Sequence, residues 1–296
     1  MRQSYFKNAA LLTGSDIVLR LAGLGLRIWL ANKLGGEGMG LYQLVLAVYA
    51  LFVTLATAGV SVAATRLMAE ELSVPENRTA ARGMMHRLLA AGLALGLLAA
   101  GLQFAAAGPA AKWWLGDVRA AGALRVSALG MPWMAVSAVL RGFFIARRRV
   151  APNVLSQLTE QTVRIAAVAA ALTRTEGAAV GTRCMLVLGA TALSEGVSAL
   201  CMLAFYRREA AHAFGPQKAA RPADPARRLW EILWPVEGGR VLASALQTAE
   251  NMLVPACLAV YLAGAGGRST ALEQYGVLKG MALPLLTFPF GLLGSL

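Results

Sequence analysis

The sequence predicts an all-α membrane protein of about eight transmembrane helices. Of its 296 residues, 57% are hydrophobic and only 15% are charged. Soluble domains average roughly 45–50% apolar and about 25% charged residues. The apolar residues recur in long runs, and a helical span needs about 20 of them to cross a bilayer. These observations exclude intrinsic disorder, which requires low hydrophobicity, and disfavour a soluble enzyme.

The predicted spans are the eight apolar runs of the chain, at 9–31, 42–65, 84–107, 122–145, 152–173, 184–206, 232–263 and 275–296. The seventh run is longer than a bilayer requires, so its helix should be tilted, kinked or extended beyond the membrane. Pro235 and Pro255 are candidate kink points within it. Pro284 and Pro289 likewise predict that the last span is bent or broken.

Basic residues predict how the chain is oriented. With the N-terminus placed in the cytoplasm, the cytoplasmic segments hold 15 lysines and arginines and the outer loops hold 6. Because cytoplasmic loops carry an excess of these residues, the N-terminus is predicted to be cytoplasmic. The long, basic, proline-containing connection at 207–231 predicts a flexible cytoplasmic linker. It divides a six-helix membrane lobe at 1–206 from the first two helices of a second lobe at 232–296.

Charged residues inside the predicted spans are the main functional signal, since a charge at mid-bilayer costs about 2.5–3.5 kcal/mol. The first span contains Asp16, Arg20 and Arg27, whose spacings of 4 and 7 residues place them on one helical face. Asp16 can offset only one of the two arginines. Such a face cannot point at lipid, so we expect it to pair with other helices or to line a water-filled cavity.

Later spans also carry polar stripes, at Gln157, Glu160, Gln161 and Arg164 in the fifth, at Thr191, Glu195 and Ser198 in the sixth, and at Arg240, Ser244, Gln247 and Asn251 in the seventh. Glu237 and Glu250 flank the seventh stripe, and Arg125 is a further candidate in the fourth span. Glu160 and Arg164 have the order that favours an ion pair between residues i and i+4. For these two residues, mutual neutralisation and a role in ion coupling both remain open.

The excess of intramembrane arginine predicts the class of ligand. A guanidinium group binds phosphate through two parallel hydrogen bonds and stays charged at every relevant pH. The sequence therefore predicts a polytopic transporter with a basic central cavity for a phosphate-bearing or otherwise anionic solute. The expected roles are substrate binding for Arg20, Arg27, Arg240 and Asn251, and coupling or charge pairing for Asp16, Glu160, Arg164 and Glu250.

Other chemistries lack their signatures in the sequence. The chain has no HExxH, no GxSxG, no Walker A motif and no acidic pair in a loop, so no catalytic residue is assigned and an enzyme is disfavoured. Cys184, Cys201 and Cys257 form neither a CxxC motif nor a metal-binding spacing, so neither a metal nor a cofactor is implied. The net charge of +13 comes mainly from residues between the apolar runs, which favours membrane topology over nucleic-acid binding.

Two short segments suggest an internal repeat, which is a common feature of transporters. GGEGMGLYQL at 35–44 follows the first span, and ALEQYGVLKGM at 271–281 follows the seventh. Both combine an acidic residue, a tyrosine and glycines, and Tyr42 and Tyr275 are 233 residues apart. If the first lobe has six helices, the second has only two, so we expect the sequence to be a fragment or a truncated product.

Three separated stretches resemble, in order, the stage V sporulation protein B branch of the multidrug/oligosaccharidyl-lipid/polysaccharide (MOP) exporter superfamily. They are RLAGLGLRIWLANKLGGEGMGLYQLVLAVYALFVTLATAGVSVAATRLMAEE at 20–71, LRGFFIARRRVAPNVLSQLTEQTVRI at 140–165 and EQYGVLKGMALPLLTFPFGLLGSL at 273–296. The resemblance covers essentially the whole chain but only the first part of the family's length. It implies a MATE-like fold of two six-helix lobes around a central cavity, of which this chain holds one lobe and the first two helices of the other.

The resemblance also implies a function, which is flipping of polyprenyl diphosphate-linked saccharides across the bacterial cytoplasmic membrane by alternating access. The saccharide would serve peptidoglycan or surface polysaccharide, and in this branch the role is tied to the spore cortex. The arginines of the family's first helix match Arg20 and Arg27, which would hold the diphosphate. The implied partners are membrane lipid, the lipid-linked saccharide and a possible coupling cation.

Two alternatives remain open at this point. A cation-coupled multidrug exporter of the same superfamily would bind organic cations, so its cavity should be acidic and aromatic. A non-transporting membrane scaffold for envelope or cortex synthesis should instead have fully paired intramembrane charges and a closed cavity.

Overall fold

The computed structural model describes residues 2–73, 78–175, 177–213, 225–262, 267–284 and 286, and every regular element within these ranges is helical. The helices are α1 (Arg2–Ser73), α2 (Arg78–Pro109), α3 (Ala120–Ala128), α4 (Met131–Ala146), α5 (Ala151–Thr173), α6 (Val180–Ala213), α7 (Pro225–Tyr261) and α8 (Gly267–Tyr275). π-Helical segments at Ala110–Trp114 and Gly276–Ala282 extend α2 and α8. The prediction of an all-α protein is therefore confirmed.

Helix α1 contains the first two predicted spans, which join at Gly35 without a loop. Gly35 has φ 74° and ψ 176°, a backbone conformation that is essentially reserved for glycine. Arg20 and Gln43 line one cavity, whereas an unbroken helix would place them about 35 Å apart. The chain therefore turns back at Gly35, and residues 2–34 and 36–73 are the two halves of α1.

The described helices account for most of the predicted membrane spans. Among the described residues, four stretches are long and apolar enough to cross a membrane, namely Thr13–Ser73, Ala81–Trp114, Val180–Ala210 and Trp234–Tyr261. The first of these holds two predicted spans because of the turn within it. α3 and α4 meet at a bend of 42° and together form a further span. α5 has the length of a span, but its polar stripe lowers its hydropathy. Together these helices form a multi-pass membrane protein.

Two predicted boundaries differ from the structure. The linker predicted at 207–231 is helical at both ends, because α6 continues to Ala213 and α7 begins at Pro225. Polar residues at these helix ends lower the local hydropathy, so the sequence pattern suggests a loop; the part between the helices, 214–224, lies outside the described residues. The eighth helical segment begins earlier than predicted, at Gly267, and the later part of its predicted span also lies outside them.

The second half of α1 is the packing centre of the described fold. Val60 and Leu67 are buried against α2, α4 and α6 in a cluster that includes Phe143 and Tyr206. Nearer to Gly35, Leu41 is buried with residues of α3, α6 and α8. This half-helix is therefore held on several sides, and its remaining face forms a wall of the cavity described below.

Helix α7 packs along the second half of α1 through polar contacts. Thr248 Oγ1 donates a hydrogen bond to the carbonyl oxygen of Ala47 at 3.0 Å. The backbone N–H of Gly59 donates to Glu237 Oε2 at 2.5 Å. These two contacts hold the first helix of the predicted second lobe against the first lobe.

Candidate substrate-binding cavity

A cavity with two adjoining compartments lies between α1 and the segments that follow the linker. The first compartment has a volume of about 760 Å³ and is enclosed by the second half of α1, α4, α7 and the π-helical segment Gly276–Ala282. The second has a volume of about 630 Å³ and is enclosed by both halves of α1, α5 and residues 279–284. Gln43 and Lys279 line both compartments, which together form the central cavity.

The second compartment is strongly basic. Arg20 and Arg27 enter it from the first half of α1, Arg164 enters it from α5, and Lys279 enters it from the π-helical segment. Arg20 Nη2 lies 4.0 Å from Asp16 Oδ2, at the limit of an ion pair, and both side chains are about half exposed. No carboxylate of the described residues lies within 4 Å of Arg27 or Lys279.

The first compartment is lined by the polar stripe predicted on α7. Arg240, Ser244, Gln247 and Asn251 all face it, because their spacing places them on one side of the helix. Across the compartment, Arg141 of α4 adds a further guanidinium group. Within the described part of the chain, Arg240 has no carboxylate within ion-pair distance.

Glu160 links the arginines of the two compartments. Its Oε1 lies 2.5 Å from Arg164 Nη2, and its Oε2 lies 3.6 Å from Arg141 Nη2. The predicted pair of Glu160 with Arg164 is therefore present, and α4 supplies a second arginine to it. One carboxylate between two guanidinium groups leaves this triad with a net positive charge beside the cavity.

Several polar atoms of the central cavity are buried without a hydrogen-bond partner among the described residues. They are Gln43 Nε2, Arg141 Nε, Arg164 Nε, Asn251 Oδ1 and the hydroxyl oxygen of Tyr275. Buried polar groups in native proteins nearly always have partners. Most of these atoms are hydrogen-bond donors, and each has almost no accessible surface, so a ligand could satisfy them only if the cavity wall rearranged.

Glu250 and Arg125, which the sequence analysis singled out, lie away from the central cavity. Glu250 is exposed on α7, because it directly precedes Asn251 and so points about 100° away from the polar stripe. Arg125 is also exposed, and its guanidinium group lies over the Phe104 ring at 5.7 Å from the centroid. Neither position supports a direct contact with a ligand in the cavity.

Lys279 and Arg141 are cavity residues that the sequence reasoning missed. Both fall inside predicted spans, so the cost of an intramembrane charge is the signal that could have found them. Lys279 lies within the repeat segment ALEQYGVLKGM, where the tyrosine and the glycines drew attention instead. Arg141 lies near the end of the fourth predicted span, so the sequence alone does not separate it from the basic residues of the loop that follows.

The two repeat segments predicted from the sequence are in contact. A side chain added at Gly40 would overlap the carbonyl oxygen of Leu272, and one added at Gly276 would overlap the carbonyl oxygen of Gly36. The helices at 35–44 and 271–281 therefore approach at backbone distance. Because these segments carry Gln43 and Lys279, their contact fixes where the two compartments meet.

Replacing Glu160 with glutamine is expected to destabilise the protein, because two partly buried guanidinium groups lose their counter-charge. A loss of about 1–3 kcal/mol in the free energy of unfolding is expected, measured as a lower midpoint of thermal unfolding in detergent. Glu70→Gln is the matched control, since Glu70 pairs with Arg66 on an exposed surface, where such pairs contribute about 0.3–0.5 kcal/mol. Equal midpoints for the two variants would contradict the bridging role of Glu160.

The sequence matches a known family over most of its length. The family is described as polysaccharide biosynthesis protein, and the match covers residues 5–266. The chain belongs to this family. Stage V sporulation protein B of Bacillus subtilis (strain 168) is 28% identical over 298 residues, which cover 97% of this chain and 55% of that relative. The resemblance to this branch, predicted from three stretches of sequence, is thereby confirmed.

Solved structures show that this member of the polysaccharide biosynthesis protein family has a MATE-type fold. An inward-facing multidrug resistance MATE family transporter of the MOP superfamily matches with a TM-score of 0.63 at 16% identity, covering 97% of this chain and 64% of that chain. A chain named protein A matches with a TM-score of 0.67 at 12% identity, covering 100% of this chain and 64% of that one. The chain spans about half the length of the curated relative.

Proposed function

We propose that the protein binds the diphosphate of a polyprenyl diphosphate-linked saccharide in its central cavity and, in its whole form, moves this lipid across the membrane by alternating access. The observation that carries the proposal is the charge of the cavity wall. The described wall holds six cationic side chains and no carboxylate: Arg20, Arg27, Arg141, Arg164, Arg240 and Lys279. A diphosphate diester carries two negative charges, which these groups would neutralise.

The two compartments suit different parts of such a lipid. The second compartment places Arg20 and Arg27 beside apolar residues such as Leu24 and Leu283, which suits a diphosphate at the end of a polyprenyl chain. The first compartment is lined by hydroxyl and amide groups, including Thr54 and Gln247, which suit the hydroxyl groups of a sugar. This division supports a saccharide carrier over a carrier of a simple inorganic anion.

The charge of the cavity argues against both alternatives. An exporter of organic cations would bind its substrate with carboxylates and aromatic faces, whereas the described wall is basic. A scaffold would have paired intramembrane charges, whereas Arg27, Arg240 and Lys279 have no carboxylate within 4 Å among the described residues. We therefore propose substrate binding by Arg20, Arg27, Arg240 and Asn251, with charge pairing by Asp16, Glu160 and Arg164.

The proposal also covers the membrane in which the protein lies and the arrangement of its two lobes. The protein lies in the bacterial cytoplasmic membrane with a cytoplasmic N-terminus, as the distribution of basic residues predicts. Residues 1–206 form one membrane lobe and residues 232–296 begin the second, so that the central cavity lies where two lobes rock against each other. The saccharide would be a peptidoglycan or surface polysaccharide precursor, and a coupling cation would accompany its transport.

The proposed function can be tested by binding to the 296-residue chain in lipid nanodiscs. A farnesyl diphosphate monosaccharide should bind, and the matched farnesyl monosaccharide without the diphosphate should bind at least about tenfold more weakly, because it lacks the charges that the arginines recognise. Tetraphenylphosphonium, an organic cation, should not compete. Equal binding of the two saccharides, or displacement by the cation, would overturn the proposal.

Transport is proposed for a protein of the relative's full length, so its test uses such a protein in place of the 296-residue chain. Vesicles that contain the whole protein should move a fluorescent polyprenyl diphosphate saccharide between leaflets faster than empty vesicles. An unchanged rate, with the saccharide bound, would restrict the function to binding.

A further inference from the structure

A buried carboxylate lies directly behind the wall of the first compartment. Glu195 of α6 is only 5% exposed. The hydroxyl group of Tyr49 on α1 donates a hydrogen bond to this carboxylate. Its oxygen lies 3.0 Å from Oε1 and 3.2 Å from Oε2. No lysine or arginine of the described residues lies within 4 Å of Glu195. A buried carboxylate in this setting requires neutralisation by a more distant cation or by a proton.

The surroundings of Glu195 connect it to the cavity and to the bend between α3 and α4. A side chain added at Gly130, which separates these helices, would overlap Glu195 Oε2. The Tyr49 hydroxyl also lies 3.1 Å from the sulfur of Met134, and Met134 lines the first compartment. The carboxylate is therefore one side chain away from the cavity.

The charged groups nearest to Glu195 come from two neighbouring helices. α4 contributes Arg141, α5 contributes Glu160 and Arg164, and α1 contributes Tyr49, which is neutral. The junction of α3 and α4 contributes backbone at Gly130. With Glu195 ionised, two positive and two negative charges cancel. With Glu195 protonated, the same group of side chains carries one net positive charge next to the cavity.

We propose that Glu195 is a proton-binding site whose occupancy sets the affinity of the central cavity for its anionic ligand. The inference rests on the proposed function, because it concerns the same cavity. Protonation removes a negative charge near the ligand, so the ligand binds more tightly when Glu195 is neutral. By reciprocity, the bound anion favours uptake of the proton. The affinity for the anion would then depend on pH although Glu195 does not touch the ligand, because its charge acts on the ligand through space.

The test measures binding of the farnesyl diphosphate monosaccharide to the full 296-residue chain in nanodiscs from about pH 5.5 to about pH 8.5. The diphosphate of this probe is a diester, so its charge stays constant over this range and any pH response belongs to the protein. Wild-type protein should bind about three- to tenfold more tightly at the acidic end. Glu195→Gln, which mimics the protonated form, should bind tightly at every pH.

Further variants separate this proposal from a structural role. Tyr49→Phe removes the hydroxyl donor and should move the pH at which the affinity changes while keeping both limiting affinities. His86→Gln, at an exposed position on α2, should keep the wild-type response. A wild-type response in Glu195→Gln, or its loss in His86→Gln, would overturn the proposal. If Glu195→Gln does not fold, an unchanged response in Tyr49→Phe overturns it instead.

The two proposals fail in different ways. Wild-type binding that is tight but independent of pH would overturn the role of Glu195 and leave the proposed function standing. Absence of wild-type binding at every pH would overturn the proposed function, and the role of Glu195 with it.

Discussion

Replacing Arg20 and Arg27 together with alanine is expected to weaken binding of the farnesyl diphosphate monosaccharide by at least about 100-fold. Hydrogen bonds to charged groups contribute roughly 1.5–3 kcal/mol each, and 1.4 kcal/mol corresponds to tenfold in affinity. Both arginines line the second compartment, and Arg27 has no carboxylate within 4 Å among the described residues. Titration of the probe into nanodiscs that contain each variant measures the effect, and the single variants should show intermediate losses.

Arg125→Ala is the matched control for this double variant. It also removes an arginine from a predicted membrane span, but Arg125 is exposed and stacks on Phe104 away from the cavity. Its affinity for the probe should stay within about threefold of the wild-type value. The thermal unfolding midpoint of each variant shows whether the fold is retained. Wild-type affinity in the folded double variant would place the diphosphate elsewhere.

Replacing Gly40 with alanine is expected to destabilise the protein by about 3 kcal/mol. The added methyl group would overlap the backbone of Leu272, and a backbone carbonyl cannot move aside as a flexible side chain can. The helices at 35–44 and 271–281 would have to separate, which loosens the point where the two compartments meet. Thermal unfolding in detergent, followed by tryptophan fluorescence, measures the change.

Gly101→Ala provides the comparison for Gly40→Ala. Gly101 also lies in a helix, but nothing lies within 4 Å of an added methyl group. Alanine is the better helix former by about 1 kcal/mol, so this variant should be as stable as wild type or slightly more stable. Gly276→Ala, which makes the same contact from the other side, should behave like Gly40→Ala. Equal stability of Gly40→Ala and Gly101→Ala would rule out the close approach of the two segments.

The fold and part of the candidate site could be predicted because they depend on local patterns. Apolar runs locate the helices, since each run must satisfy its own backbone hydrogen bonds in the membrane. The stripe of Arg240, Ser244, Gln247 and Asn251 follows from helical spacing, and these residues do face one compartment. The roles assigned to these residues stay predictions until binding is measured.

Other features depend on residues that meet only in the folded chain. Arg141 joins Glu160 across two helices, and Tyr49 reaches Glu195 although 146 positions separate them. No spacing rule within one helix predicts either contact. Helical geometry also turns Glu250 away from the cavity although it directly precedes Asn251, and its role in coupling or charge pairing stays a prediction.

The turn at Gly35 has a consequence for how the chain enters the membrane. The span before the turn carries Asp16, Arg20 and Arg27, whereas the run at 42–65 carries no charged residue. With only one residue between the two helices, the charged span cannot be released into lipid by itself while its neighbour is still being made. The two helices should therefore partition into the bilayer together as a hairpin, in which the uncharged helix offsets the insertion cost of the charged one.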